Sequence, residues 1–318
     1  MNTSTSQLHV IFGAGPVGLA VMDELVRRGK RVRVVNRSGK SAHVPAGVEI
    51  VGGDATQIPF TTEAAKGASV VYNCTNAPDY HKWPEQFPPL HTGVLEGAAA
   101  NGAKLVLMEN VYMYGDVEGQ PITEKLPFKA KGKRGITRVK MVQEWEAAHK
   151  SGRVQVTAGR ASDFFGPRVR DSAGGEQVFN AAIKGEAAQV LFHADQPHSF
   201  TYMSDIGKAL VILGQSDQAL GRAWHIPNAP ALTTREFIAK IFAFTGKPPK
   251  FQVASPLIIK LLGLVAPPLR GIEELGYEFT KPFVVEGNEF TKTFGIDATP
   301  LDEAIQTTLT WYQQQAKS

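Results

Sequence analysis

With 318 residues, 43% of them hydrophobic and 20% charged, the chain can bury a large α/β core and carry a smaller companion domain. Its formal charge of +4 comes without a basic run or an aromatic-interleaved stripe, which argues against a nucleic-acid partner. Cys74 is the only cysteine, so no intramolecular disulfide can form and a reducing, cytoplasmic setting is expected.

Taken in order, the polar start Met1–Gln7 lacks the basic-then-apolar pattern of a signal segment. Leu8-His9-Val10-Ile11-Phe12 reads as a strand that runs into Gly13-Ala14-Gly15-Pro16-Val17-Gly18 and an apolar-periodic helix reaching Gly29. Gly13 permits a tight turn out of the strand, Gly15 lets backbone N–H groups approach a pyrophosphate, and Gly18 lets the helix pack close to the sheet. Phosphates would rest at the helix N-terminus, where unpaired N–H groups and the positive end of the dipole favour an anion. A second strand, Arg31–Asn36, completes a dinucleotide-binding βαβ unit. NAD or FAD sites usually end this strand with an acidic residue, whereas here it reads Asn36-Arg37-Ser38 with Lys40 close behind. A guanidinium clamps a 2′-phosphate that a carboxylate would repel, so NADP is expected over NAD.

Val48–Val51 reads as a third strand, Thr61–Lys66 as a short helix, and Ser69–Thr75 as a strand buried on both faces. A helix over Leu90–Asn101 and a fifth strand, Lys104–Met108, follow. Residues 111–134 form a long connection, Ile136–Lys150 a helix, and Arg153–Thr157 a sixth strand. Six strands alternating with helices predict an open, doubly wound parallel sheet of the Rossmann kind, with a smaller mixed C-terminal substrate domain. The alternation breaks at Phe164-Phe165-Gly166-Pro167, which sets the expected domains at 1–165 and 166–318, with a return segment near 200–228. Helices are expected over Gln177–Lys184, Asp205–Leu213 and Thr233–Phe244, the last opened by a Thr233-x-x-Glu236 capping box. Ala223–Ile226 can return a strand to the sheet, and Thr299-Pro300 is expected to cap a final helix ending near Trp311. The most apolar stretch, Val253–Leu269, is interrupted by Lys260 and three prolines. It reads as a buried helix or the lid of an apolar pocket rather than a membrane span.

Chemistry-bearing residues are scattered. Lys131, Lys133 and Arg134 are candidates to bind a substrate anion. His81, His193, His198 and His225 are candidate acids or bases, and their spacings suggest no metal site. No Gly-x-Ser-x-Gly elbow is present, Cys74 reads as core, and Trp83, Phe164, Phe165 and Trp224 are candidates to wall an apolar pocket.

Several of these segments together resemble the extended short-chain dehydrogenase/reductase superfamily, including its NAD-dependent epimerases and dehydratases. They are Gly52-Gly53-Asp54-Ala55, Asn73-Cys74-Thr75-Asn76-Ala77, Val111-Tyr112-Met113-Tyr114-Gly115, Arg160 with Phe165-Gly166-Pro167, and Phe200–Ile206. The resemblance implies that Asp54 bonds the adenine amino group, with Ala55 beside it, and that the segment holding Thr75 lines the cofactor. Together with the NADP expected from Arg37, it implies an NADP(H)-dependent oxidoreductase, or an epimerase/dehydratase-like enzyme, acting on a small carbonyl-containing substrate. The chain departs from the pattern at three places. Aligning the Tyr-x-x-x-Lys element on Lys140 puts Ile136 at the tyrosine, the usual serine or threonine position holds Asn110, and Phe12 stands where a first glycine is usual. Lys140 is therefore expected to hold the nicotinamide ribose, while Tyr112, ahead of Tyr114, takes the role of proton donor. The cofactor-binding set is Gly13, Gly15, Pro16, Val17, Gly18, Asn36, Arg37, Ser38, Asp54, Ala55, Thr75 and Lys140. Two alternatives stand beside this reading. One is an NADP-sensing regulator without catalysis. The other is an FAD-dependent hydroxylase, since Gly13–Ala20 is similar to the FAD fingerprint of aromatic-ring hydroxylases. The expected partner is a small-molecule substrate, with neither nucleic acid nor membrane, and a homo-oligomer is left open.

Overall fold

The computed structural model describes residues 7–255, 258–259 and 271–316. Two compact units emerge. The first comprises Met1–Glu109, Ile136–Arg160 and Ile206–Trp224; the second comprises Asn110–Gly135, Ala161–Asp205 and His225–Ser318. The stretch Asn110–Gly135, inside the range expected for the nucleotide domain, thus belongs to the second unit.

The first unit is built on a seven-stranded sheet. Its core strands are β1 (Leu8–Phe12), β2 (Arg31–Asn36), β3 (Glu49–Gly52), β4 (Ala68–Asn73), β5 (Lys104–Glu109) and β6 (Val156–Arg160). They lie in the order β6-β5-β4-β1-β2-β3, with the returning strand Ala223–His225 outside β6. Every pair from β3 across to β6 is parallel. This is the expected doubly wound order, with the strand order reversing beside β1, where such sheets bind their ligands. All five residues of β1 are buried, as a strand covered by helices on both faces requires.

Several boundaries differ from the sequence expectation, the short helix expected over Thr61–Lys66 and the end of the last helix among them, and three show why. Helix α3 (Trp83–Ala100) starts seven residues earlier than expected and runs through Pro88 and Pro89. Trp83, Phe87, His91, Val94, Leu95 and Ala98 share its buried face, and that burial outweighs the backbone bonds the prolines remove. Strand β6 is displaced three residues along the chain because pairing sets its register, Leu105 opposite Val156 through Glu109 opposite Arg160. Helix α4 (Lys133–Lys150) starts three residues before the expected Ile136 and so takes in Gly135. A Cβ at Gly135 would lie 2.6 Å from the Tyr112 carbonyl oxygen, so only glycine allows the chain to pass there. Helix α1 (Pro16–Arg27) packs on β1 and β2, and α2 (Ile58–Ala64) packs on α3.

The second unit has an aromatic core. Phe165, Phe179, Phe200, Phe237 and Tyr312 pack together, with Phe200 and Phe237 stacked at 4.3 Å. Helices α5 (Glu176–Lys184) and α6 (Thr234–Ala243) and the last helix, Leu301–Gln315, supply much of it. The capping box is present as expected: the Thr233 hydroxyl accepts from the Glu236 N–H and the Glu236 carboxylate accepts from the Thr233 N–H. The cap expected of Thr299 is not made. Its hydroxyl donates to Asp205, at 2.7 Å, and Pro300 starts the last helix without a side-chain cap. Of the apolar stretch Val253–Leu269, Val253 and Ala254 end a strand, Phe251–Ala254, paired with Ala188–Leu191. The helix or lid expected of the remainder falls largely on residues outside those described. Among the described residues, no helix is long and apolar enough to cross a membrane.

Candidate functional site

The candidate nucleotide cradle lies where β1 turns into α1. Gly13 has a φ of +107°, and a Cβ on it would lie 2.5 Å from the Cys74 carbonyl oxygen at the end of β4. A Cβ on Gly18 would lie 1.9 Å from the Gly13 carbonyl oxygen, so the helix rests directly on the turn. Gly15 differs from both. A Cβ there would meet nothing within 4 Å, which leaves open space in front of the helix N-terminus. No side chain caps that end, and Pro16 occupies the first turn, where its missing N–H removes nothing. An uncapped helix start facing open space fits a pyrophosphate. Val17, half-buried, belongs to the same turn.

The sequence expectation puts the adenine end of the cofactor at the loop after β2. The Asn36 carboxamide closes this loop on itself, accepting the Gly39 N–H at 2.7 Å and donating to the Lys40 carbonyl at 3.0 Å. Ser38 also turns inward, its hydroxyl 3.1 Å from the Lys40 carbonyl. Both residues therefore shape the loop. Arg37 is exposed and, among the described residues, makes no side-chain hydrogen bond. After β3, Asp54 accepts the Thr56 N–H at 2.9 Å, a bond that heads the causes holding its carboxyl below the usual range. Ala55 is buried beside it. At the end of β4, the Thr75 hydroxyl donates to the Asn73 side chain at 2.7 Å. Burial of its sulfur pushes the Cys74 thiol up to about 12, so the nucleophilic thiolate is disfavoured at neutral pH.

Helix α4 carries Ile136 and Lys140 one turn apart on one face. Ile136 is 41% exposed and Lys140 is exposed, so that face is open. At the end of β5 the sequence reading missed Glu109. It faces Arg160 across the ladder, Oε2 to Nε at 2.9 Å, with both side chains at most 3% exposed, and Trp145 donates to its other oxygen at 3.1 Å. The expected strands stop at Met108 and Thr157, short of both residues, so no local pattern marked the pair.

In the second unit, Tyr112–Tyr114 form a 3₁₀ turn, which sends the two phenols to different sides. Tyr114 is fully buried and its hydroxyl lies 2.8 Å from His225 Nε2. The other ring nitrogen of His225 lies 3.2 Å from the Glu286 carbonyl, which only accepts, so Nδ1 carries the proton and Tyr114 donates to Nε2. Tyr114 and His225 are thereby engaged with each other. Tyr112 is half-buried and lines a cleft of about 560 Å³ together with Lys129, Lys131 and Tyr277.

The other candidates divide between core and surface. His198 is buried, its ring between the Asp163 carboxylate at 3.0 Å and the Glu278 carbonyl at 3.1 Å. His193 is exposed and His81 half-buried. Arg134 is buried against Glu274 at 3.0 Å and the Gly271 carbonyl at 2.6 Å, while Lys131 and Lys133 are exposed. Trp83, Phe165 and Trp224 are core residues, and Trp83 lies under the Arg138 guanidinium. Among the described residues, no group of three or more His, Cys, Asp or Glu is placed to hold a metal.

A Rossmann sheet with an uncapped, glycine-lined helix start at its switch point defines a dinucleotide-binding α/β protein. A sequence model of the NAD dependent epimerase/dehydratase family matches residues 10–226, and the chain belongs to that family, within the extended short-chain dehydrogenase/reductase superfamily. Among curated protein sequences none gives a significant match. Solved structures agree on the fold. UDP-glucose 4-epimerase from Thermotoga maritima, with UDP-glucose, has a TM-score of 0.79 and 14% identity over 98% of this chain and 100% of that one. UDP-glucose 4-epimerase from Thermus thermophilus, in complex with NAD, has 0.75 and 18% over 96% and 99%. UDP-N-acetylglucosamine 4-epimerase from Methanobrevibacter ruminantium, in complex with UDP-N-acetylmuramic acid, has 0.80 and 16% over 98% and 99%.

Proposed function

We propose that the protein is an NADP(H)-dependent oxidoreductase, or an epimerase/dehydratase-like enzyme, acting on a small carbonyl-containing substrate. The observation that carries the cofactor reading is the open space at Gly15 before an uncapped α1, with an exposed Arg37 where an acidic residue would select NAD. Gly13, Gly15, Pro16, Val17 and Gly18 would hold the pyrophosphate. Arg37, on the loop that Asn36 and Ser38 shape and with Lys40 near, would hold the 2′-phosphate. Asp54, Ala55 and Thr75 would line the adenine and the neighbouring ribose, and Lys140 would hold the nicotinamide ribose. The first unit is then the dinucleotide part and the second the substrate part. Although a solved relative of this fold is an NAD complex, the Arg37 guanidinium favours the phosphorylated cofactor here.

Bound there, a reduced nicotinamide supplies the hydride for a carbonyl carbon. Tyr112 gives the phenolic proton to the carbonyl oxygen and is afterwards reprotonated from solvent. Tyr114 does not compete for this role, because its hydroxyl is buried and already donates to His225. Ile136 has no proton to give. The test is NADPH oxidation against a panel of aldehydes, ketones and enones, with Tyr112→Phe as the variant. Turnover is expected to fall about 10²-fold or more, with NADPH affinity unchanged. Equal turnover in Tyr112→Phe would remove Tyr112 from the chemistry.

A second reading has its own observation. Ile136 is 41% exposed on the face of α4 that bears Lys140, where the family's pattern has the catalytic tyrosine. Tight NADPH binding with no turnover on any carbonyl would make the protein an NADP-sensing regulator.

A further inference from the structure

The cleft that Tyr112 lines lies wholly within the second unit, and its charges are unevenly engaged. Asp116 pairs with Lys281 at 2.6 Å. The Glu274 carboxylate accepts the Lys133 N–H at 3.0 Å and the Arg134 N–H at 3.1 Å, and it pairs with the Arg134 guanidinium at 3.0 Å. It thus caps the start of α4 from 140 residues away in sequence. The anions on this wall are therefore largely neutralised by other groups, leaving Glu118 exposed at the edge. The cations are not. Lys129 and Lys131 are exposed, and among the described residues neither side chain makes an ion pair or hydrogen bond; Lys131 acts on Asp116 only through its field. Leu126, Pro127 and the ring of Tyr277 add apolar surface.

We propose that this cleft is an oxyanion-binding subsite. Lys129 and Lys131 hold a carboxylate or phosphate on the substrate, its apolar body lies along Leu126, Pro127 and Tyr277, and its carbonyl is left toward Tyr112. The inference rests on the reading of Tyr112 as proton donor and adds the substrate class, an anionic carbonyl compound. Lysines suit this task because a flexible ammonium serves as a point charge for either oxyanion. Two partly screened ion pairs together account for about a tenfold gain in affinity, and that gain weakens as salt rises.

The experiment measures binding to the full chain by calorimetry without NADPH, using phenylpyruvate, its neutral counterpart phenylacetone, and inorganic phosphate as probes. Phenylpyruvate is expected to bind more tightly than phenylacetone and to lose affinity about tenfold in the double variant Lys129→Met with Lys131→Met. Competition by inorganic phosphate at low concentration assigns the subsite to phosphate; its failure to compete assigns it to carboxylate. Equal binding of acid and ketone, no binding of phenylpyruvate, or an unchanged double variant would overturn the subsite. A parallel assay of NADPH oxidation separates the two readings. Lysine-dependent binding without NADPH oxidation keeps the subsite and removes the reductase, whereas equal NADPH oxidation with the acid and with the ketone keeps the reductase and removes the subsite.

Discussion

Replacing Arg160 by Met should destabilise the protein far more than removing an ordinary charge. The Arg160 guanidinium and the Glu109 carboxylate are 3% and 2% exposed and 2.9 Å apart, on paired residues at the carboxyl ends of β6 and β5. Without the arginine, Glu109 keeps the Trp145 indole N–H at 3.1 Å but loses its countercharge. An uncompensated buried charge of this kind costs about 3–5 kcal/mol, against about 0–1 for an exposed pair. Replacing both partners, Glu109→Leu with Arg160→Met, removes the buried charge along with its partner and should return much of the loss. The assay is equilibrium urea unfolding followed by circular dichroism, run as a double-mutant cycle. A loss below about 1 kcal/mol in Arg160→Met, or strict additivity in the cycle, would refute the reasoning.

Gly13→Ala should destabilise the fold, since the turn has a φ of +107° and the added carbon would strike the Cys74 carbonyl; an unchanged melting temperature would contradict this. Gly15→Val should leave the melting temperature near the parent's and abolish binding of both nucleotides, because its side chain enters only the open space; retained binding in a fluorescence titration would make the glycine run structural. His91 is buried with its pKa pushed down to about 4, chiefly by desolvation. The folded chain refuses a proton that the unfolded chain accepts, so stability is full above about pH 6.5 and falls as pH drops toward 4, by about 1.4 kcal/mol per unit for this one group. His91→Phe should flatten that slope in urea midpoints measured across the window, and an unaltered slope would assign it to other groups.

Much of the fold was legible because the strands are apolar runs and the glycines punctuate them. Leu8–Phe12, Arg31–Asn36 and the return strand at Ala223 all stand where the sequence places them. The misplaced edges were decided by partners that no local window contains. Strand pairing moved β6, and the buried face of α3 carried a helix through Pro88 and Pro89. Near the candidate site, the glycine turn after β1 and the position of Arg37 after β2 were readable from spacing alone. The bond that ties up Tyr114 was not, since it runs to His225, 111 residues away. Glu109 escaped notice for the same reason, its meaning set by Arg160 on the neighbouring strand.

The central claim, a dinucleotide cradle tuned by Arg37 to the phosphorylated cofactor, is tested most directly by titrating NADPH and NADH into the parent and into Arg37→Asp while following fluorescence. The parent should bind NADPH more tightly, and the variant should invert the order, with the affinity ratio moving by roughly 1–3 kcal/mol if one charge-assisted contact dominates. Equal affinities in the parent, or a preference for NADH, would contradict it.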